Sequence, residues 1–148
     1  MTLEIFDDLR QYIDACKKVT EWREIRGADW NLEIGAIIEA AAERITQPPL
    51  LIFDEIKGYP AGFRVLGLSF ANYRRVALAL GLSPEKSKIE LIRLAARKIG
   101  SAQPIAPREV ARAPVAENIM TGAALDLLKF PVLRSHAGDG GRYLGTGC

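Results

Sequence analysis

The residues able to do chemistry are few, and their spacing decides what each can do. His136 is the single histidine of the chain. Metal binding and triad catalysis both need partners at set positions, and no Ser-His-Asp pattern accompanies it. It reads as a loop histidine that hydrogen-bonds to backbone. Asp139 has the carboxylate of a general base, but an aspartate before Gly140-Gly141 is better suited to capping the turn it begins. Arg74-Arg75 has the charge for a phosphate. The pair reads better as the exposed side of a helix whose other face is buried. Glu33, Glu39 and Glu43 fall at helical spacings that make a solvated face rather than paired acids. Gly140, Gly141, Gly145 and Gly147 have the composition of a phosphate cradle. A P-loop ends in Gly-Lys-Ser/Thr, however, and a dinucleotide fingerprint lies between a strand and a helix. Neither context is present. Cys16 and Cys148 are far apart and in no metal-ligand spacing, so they read as a buried helix thiol and a terminal thiol rather than a disulfide. These residues alone make no complete active site.

Composition narrows the class. A chain of 148 residues suits one domain, or one domain and the beginning of another. Its 49% hydrophobic and 26% charged content is that of a globular protein in water. A net charge of +2 is too small for the basic field that nucleic-acid binding needs. The first residues carry acids and lack a basic segment followed by an apolar run, so no signal peptide is expected. No apolar stretch reaches the length of a membrane span. A cytoplasmic protein is the expectation.

The elements that must position these residues follow from periodicity. Ile5, Leu9, Tyr12, Ile13 and Cys16 recur at helical spacing and predict an amphipathic helix of about four turns. Trp22 to Arg26 predicts a short strand ended by Gly27. Asn31 is the expected cap of a second helix, with Ile34, Ile37, Ile38, Ala41 and Ile45 as its buried stripe, stopped by Pro48-Pro49. Leu50-Leu51-Ile52-Phe53 predicts a buried strand, and Phe63 to Leu68 a second one. Asn72 caps a third helix that ends at Gly81. Ser83-Pro84-Glu85 predicts the start of a fourth, with Ile89, Ile92, Ala96 and Ile99 as its apolar face. Residues 101–114 hold three prolines and no helical period, which predicts an extended connector. Val110 and Val115 are candidates for edge strands. Ala123 to Phe130 predicts a short helical or turn segment ended by Pro131.

The final stretch carries more. Asp139-Gly140-Gly141 is a strong turn signal, and Arg142-Tyr143-Leu144 then reads as the start of a strand. A strand runs for about five residues and pairs with something, so the chain reads as the front of a longer protein. Asp139-Gly140-Gly141-Arg142-Tyr143-Leu144-Gly145-Thr146 resembles the segment that opens the flavin-binding barrel in the UbiD family of decarboxylases. The order of the other motifs is similar to that family's amino-terminal region. Leu9 lies in an Asp-Leu-Arg helix, and Leu32-Glu33-Ile34 follows Asp29. Leu51-Ile52-Phe53-Asp54 leads to Gly58-Tyr59-Pro60, and Arg74-Arg75-Val76-Ala77-Leu78 precedes Gly81-Leu82. The resemblance spans the whole chain but only the first part of a full family member.

The resemblance implies a carboxy-lyase acting reversibly on an aromatic or α,β-unsaturated carboxylic acid. It implies prenylated FMN held with Mn2+ and K+, a flavin prenyltransferase as supplier, and a homo-oligomer, dimer or hexamer. Catalytic and metal residues of the family fall beyond Cys148. Thr146 is the one position that matches a cofactor-contacting residue; the alternative is a β-branched strand residue with a satisfied hydroxyl. Gly145 matches a variable position where a small side chain leaves room. The expected fold is α/β (α+β): residues 1–103 as helices packed on a small mixed sheet, then residues 104–148 as a proline-rich connector and the first strand of a truncated split barrel. Such a chain alone is expected to be inactive. A different class also fits: a non-catalytic α/β interaction domain that packs against a partner chain.

Overall fold

The computed structural model describes residues 6–145. Its centre is β2, Leu50–Asp54, whose first four residues are buried without a break. An uninterrupted apolar run of this kind belongs to a strand covered on both faces. β1, Trp22–Arg26, pairs with it in parallel, from Trp22 opposite Leu50 to Arg26 opposite Asp54. β3, Val65–Gly67, pairs on the other side, antiparallel, with Ile52 opposite Leu66. The order is β1-β2-β3.

Alternate side chains of β2 enter two separate cores. Leu51 and Phe53 pack with Ile34 on α2, Glu33–Arg44, and with Ala28 and Ile56. Leu50 and Ile52 pack with Tyr12 and Cys16 on α1, Leu9–Val19, and with Leu78 on α3, Tyr73–Ala79. The period of two along the strand thus builds a layered α/β unit, as the sequence predicted. Each fully buried side chain of this size contributes about 1.5–3 kcal/mol. α4, Lys88–Gly100, lies outside this layer and buries Leu91.

Several boundaries differ from those predicted. The first helix begins at Leu9 because the Asp8 side chain accepts from the Gln11 N–H at 2.9 Å. That cap turns Leu9 to solvent, 58% exposed; Ile5 lies outside the described residues. Asn31 does not cap α2. The cap position is Leu32, at φ 71° with no side-chain bond, and Asn31 instead bridges Arg134. Ile45 is the C-cap of α2 and 44% exposed, beyond the buried stripe. The strand predicted from Phe63 to Leu68 is cut short by Gly62 at φ 99° and Leu68 at φ 58°.

The fourth helix starts at Lys88, not at Ser83-Pro84-Glu85. Ser87 accepts from the Glu90 N–H, and the Glu90 carboxylate accepts in return from the Ser87 N–H at 3.0 Å. Ser83 has Lys86 at the matching position, and an ammonium cannot accept that return bond. Ile89, Ile92 and Ile99, predicted as the buried face, are 65%, 60% and 66% exposed.

Residues 101–130 run as an exposed connector broken by short 3-10 turns at Pro114–Ala116, Gly122–Ala124 and Leu127–Lys129. Val110 and Val115 lie in no strand. Both are exposed, so no neighbouring strand offers them a ladder. The 3-10 turns before Phe130 match the short helical segment predicted there.

Candidate functional site

Beyond the connector the chain returns to the folded unit and packs along the start of α2. Val132 is buried, and Leu133 joins the core around Phe53. Backbone then pairs with backbone. The Arg134 N–H donates to Trp30 O at 3.2 Å, and the Leu32 N–H donates to Arg134 O at 2.8 Å. In place of a side-chain cap, the Ile34 N–H of the first turn of α2 donates to Asp29 O at 3.1 Å.

Gly35 makes the approach possible. A Cβ there would sit 2.4 Å from Ser135 O and 2.6 Å from Ser135 Cα, so only glycine fits. The next turn is closed by Asp139. Its carboxylate accepts from the Ser135 N–H at 3.0 Å and the His136 N–H at 2.8 Å. Asp139 therefore caps the turn that precedes it rather than the one it begins, with one carboxylate oxygen accepting from both amides. The His136 ring is exposed between two carboxylates, 3.5 Å from Glu39 and 3.9 Å from Asp139. The ring faces these carboxylates rather than the backbone expected for it, and the His136 N–H donates to the Asp139 side chain.

Arg142 closes the seam. Its guanidinium lies 4.0 Å from the centroid of the Trp30 ring and donates to the Tyr59 hydroxyl at 2.6 Å. A cation over an indole face is attracted by the ring quadrupole. Tyr59 continues edge-to-face into Phe63 and Phe63 into Phe130. The Tyr143 N–H donates to Leu133 O at 3.4 Å. Residues 142–145 form no strand ladder among the described residues, so the strand start predicted at Arg142 is irregular backbone there, tied by that bond and by the Arg142 side chain. Thr146, Gly147 and Cys148 lie outside the described residues. Thr146, the candidate cofactor contact, and Gly147 therefore carry no geometry.

Arg75 corrects the expectation for Arg74-Arg75. Arg74 is partly exposed and pairs with Glu85, but Arg75 is fully buried. It faces no carboxylate among the described residues. Its guanidinium donates to Ser69 O at 3.2 Å, Thr20 Oγ1 at 3.1 Å, Pro48 O at 2.9 Å and Leu68 O at 2.8 Å. The positive φ of Leu68 helps aim that carbonyl. Burial holds the Arg75 guanidinium below its usual range and raises the neighbouring Cys16 thiol and Tyr12 phenol. This is a structural hub, and the dipeptide gave no signal that separates its two arginines.

Glu33 is structural as well, accepting from the Asp29 N–H at 2.8 Å. A cleft of about 910 Å3 lies between the end of α1 and the start of α3, lined by Lys17, Lys18, Trp22 and Arg74 among others. Lys17 and Arg74 are already paired with Asp14 and Glu85. Among the described residues no three metal-ligating side chains meet. They do not themselves form a divalent-cation site. Nor does any helix there have the length and apolarity to cross a membrane.

Comparison with known proteins locates this arrangement. Residues 13–95 match the model of the 3-octaprenyl-4-hydroxybenzoate carboxy-lyase N-terminal domain, and residues 108–148 match its Rift-related domain. The chain is 39% identical to pyrrole-2-carboxylic acid decarboxylase of Pseudomonas aeruginosa, over 94% of this chain and 29% of that protein. It is 32% identical to ferulic acid decarboxylase 1 of Candida dubliniensis, over 93% and 29%. The structure of vanillic acid decarboxylase from Sedimentibacter hydroxybenzoicus in its open form aligns with TM-score 0.76 and 26% identity, over 94% of this chain and 30% of that one. The chain spans about three-tenths of the length of the relatives it matches.

Proposed function

Because the chain belongs to the UbiD family of carboxy-lyases and matches its amino-terminal part, we propose that it is the front portion of an enzyme that removes carbon dioxide from an aromatic or α,β-unsaturated carboxylic acid. The observation that carries this is the match, in order, of two segments of that family, residues 13–95 and 108–148. The relatives named for pyrrole-2-carboxylic and ferulic acid decarboxylation support the substrate class.

Within this proposal residues 1–103 form the first domain, and residues 104–148 are connector and opening of the barrel. Prenylated FMN, with Mn2+ and K+, supplies the electron sink for the departing carboxylate when bound. The described residues contribute position, not ligands: the seam from Val132 to Arg142 fixes where the segment leading to Thr146 begins. A flavin prenyltransferase supplies the cofactor, and the assembled enzyme is a cytoplasmic homo-oligomer, dimer or hexamer. The test is to express the reading frame carried past Cys148 together with a flavin prenyltransferase. Bound-flavin absorbance and carbon dioxide release from pyrrole-2-carboxylate and cinnamate-type acids are the expected result. A reading frame that stops at Cys148, or a longer product with neither flavin nor turnover, would overturn it.

One observation favours the second class. The Ile89, Ile92 and Ile99 face of α4 is exposed, as a partner-binding domain requires. A stop at Cys148 would favour that reading.

A further inference from the structure

We propose that the unit of residues 6–100 recognises the segment 131–145 as a bound peptide, with residues 101–130 serving only as a tether. The proposal stands apart from the carboxy-lyase reading, since it concerns how two parts of this chain hold each other.

Apart from Phe130 at the end of the tether, which packs on Phe63 and accepts from the Val132 N–H, the contacts described for the segment come from the folded unit or from the segment itself. Val132 and Leu133 supply the apolar anchor. Trp30, Asn31 and Leu32 supply the backbone that pairs with Arg134. The groove at Gly35 admits the Ser135 backbone where no side chain would fit. Trp30 and Tyr59 form a socket that takes the Arg142 guanidinium on an aromatic face and a hydroxyl. Asp139 closes the segment on itself, so it arrives already turned. Apolar anchor, backbone pairing and one oriented cation are the parts of a peptide-recognition surface. The tether is exposed almost throughout, with Ile105 and Val115 at least nine-tenths exposed. It adds no buried surface to the seam before Phe130 reaches Phe63.

The experiment uses the full chain with a specific protease site in place of residues 106–112. After cleavage the products are run on a sizing column and weighed by mass spectrometry, with circular dichroism as the check on folding. The two fragments are expected to co-elute while the folded unit keeps its spectrum. Separation of the fragments, or unfolding on cleavage, would overturn the proposal. Gly35→Ala sharpens the test, because alanine favours helix over glycine and leaves α2 no weaker, yet its Cβ meets Ser135 O at 2.4 Å. This variant is expected to weaken retention at least tenfold, and retention equal to wild type would count against the seam. Arg142→Met keeps the apolar stem and removes the cation, with a several-fold loss expected. No loss there would remove the socket from the proposal and overturn it in this form.

Discussion

At the scale of single residues, Arg75 has the largest predicted effect. It ties the end of α1, the loop before β2 and the loop after β3 to one guanidinium. Arg75→Met keeps the stem and leaves buried carbonyls without donors, each worth about 1–3 kcal/mol. A loss of roughly 3 kcal/mol or more is expected, read as a lower urea midpoint at unchanged slope. Cys16 is fully buried and burial raises its thiol. It should therefore resist a thiol reagent at pH 8 until urea unfolds the chain; rapid native labelling would contradict the packing. In the longer protein, Thr146→Val should weaken flavin retention by roughly 0.5–1.5 kcal/mol without unfolding, and unchanged occupancy would make Thr146 structural. Single residues were the least legible part of the sequence. Asp139 was readable as a turn residue but not in its bonds: an Asx turn reaches two residues forward, whereas this carboxylate reaches back to Ser135 and His136. The role of Arg75 was not readable, because two of its three acceptor segments, at Thr20 and Pro48, are distant in sequence. Gly35 showed no signal either, since its reason lies a hundred residues away at Ser135.

Elements were more legible where their cause was local. β2 announced itself by an unbroken apolar run, and the third helix by Asn72, whose side chain accepts from the Arg74 N–H at 2.9 Å. The fourth helix shows how two adjacent start signals compete, and the reciprocal pair Ser87 and Glu90 wins over a lone Ser-Pro. Its pH dependence follows. The Ser87 hydroxyl first, then the Ser87 N–H and Lys86, hold the Glu90 carboxyl below its ordinary value. A carboxyl depressed in the folded state supports the helix above that value and loses its contribution as pH falls through the lower folded value. The protection factor of the Ser87 amide, its exchange measured against the intrinsic rate at each pH, should therefore fall in acid in the native chain, and this acid dependence should flatten in Glu90→Gln, which keeps the box but not the charge. An equal acid response in both would remove Glu90 as the cause. Ser87→Ala should loosen the first turn of α4 at all pH values by about 1 kcal/mol, seen as lower helicity by circular dichroism. The exposed Ile89, Ile92 and Ile99 mark where apolar periodicity misled: the spacing is helical, but within these residues nothing covers that face.

For the whole molecule, the layered unit around β2 should fold on the contacts described, while the 148-residue chain should neither hold flavin tightly nor release carbon dioxide from aromatic acids above an enzyme-free control. Stoichiometric flavin on the isolated chain would show that the catalytic apparatus lies within it. Limited proteolysis should cut first between residues 101 and 130, where the backbone is exposed. The fold class was readable from the alternation of helices and strands; the return of residues 131–145 onto α2 was not, because backbone pairing leaves no periodic trace. That tether has a further consequence. Thirty residues treated as a random coil span about 30 Å on average and hold their far end at an effective concentration on the order of 1 mM. If the docked segment bound with a Kd of about 1 μM when free, it would be seated about 99.9% of the time in the intact chain. A substitution weakening it tenfold would still leave it seated about 99% of the time. The intact protein would hardly register the change, so the seam could drift in sequence while its register on Trp30 and Gly35 persists.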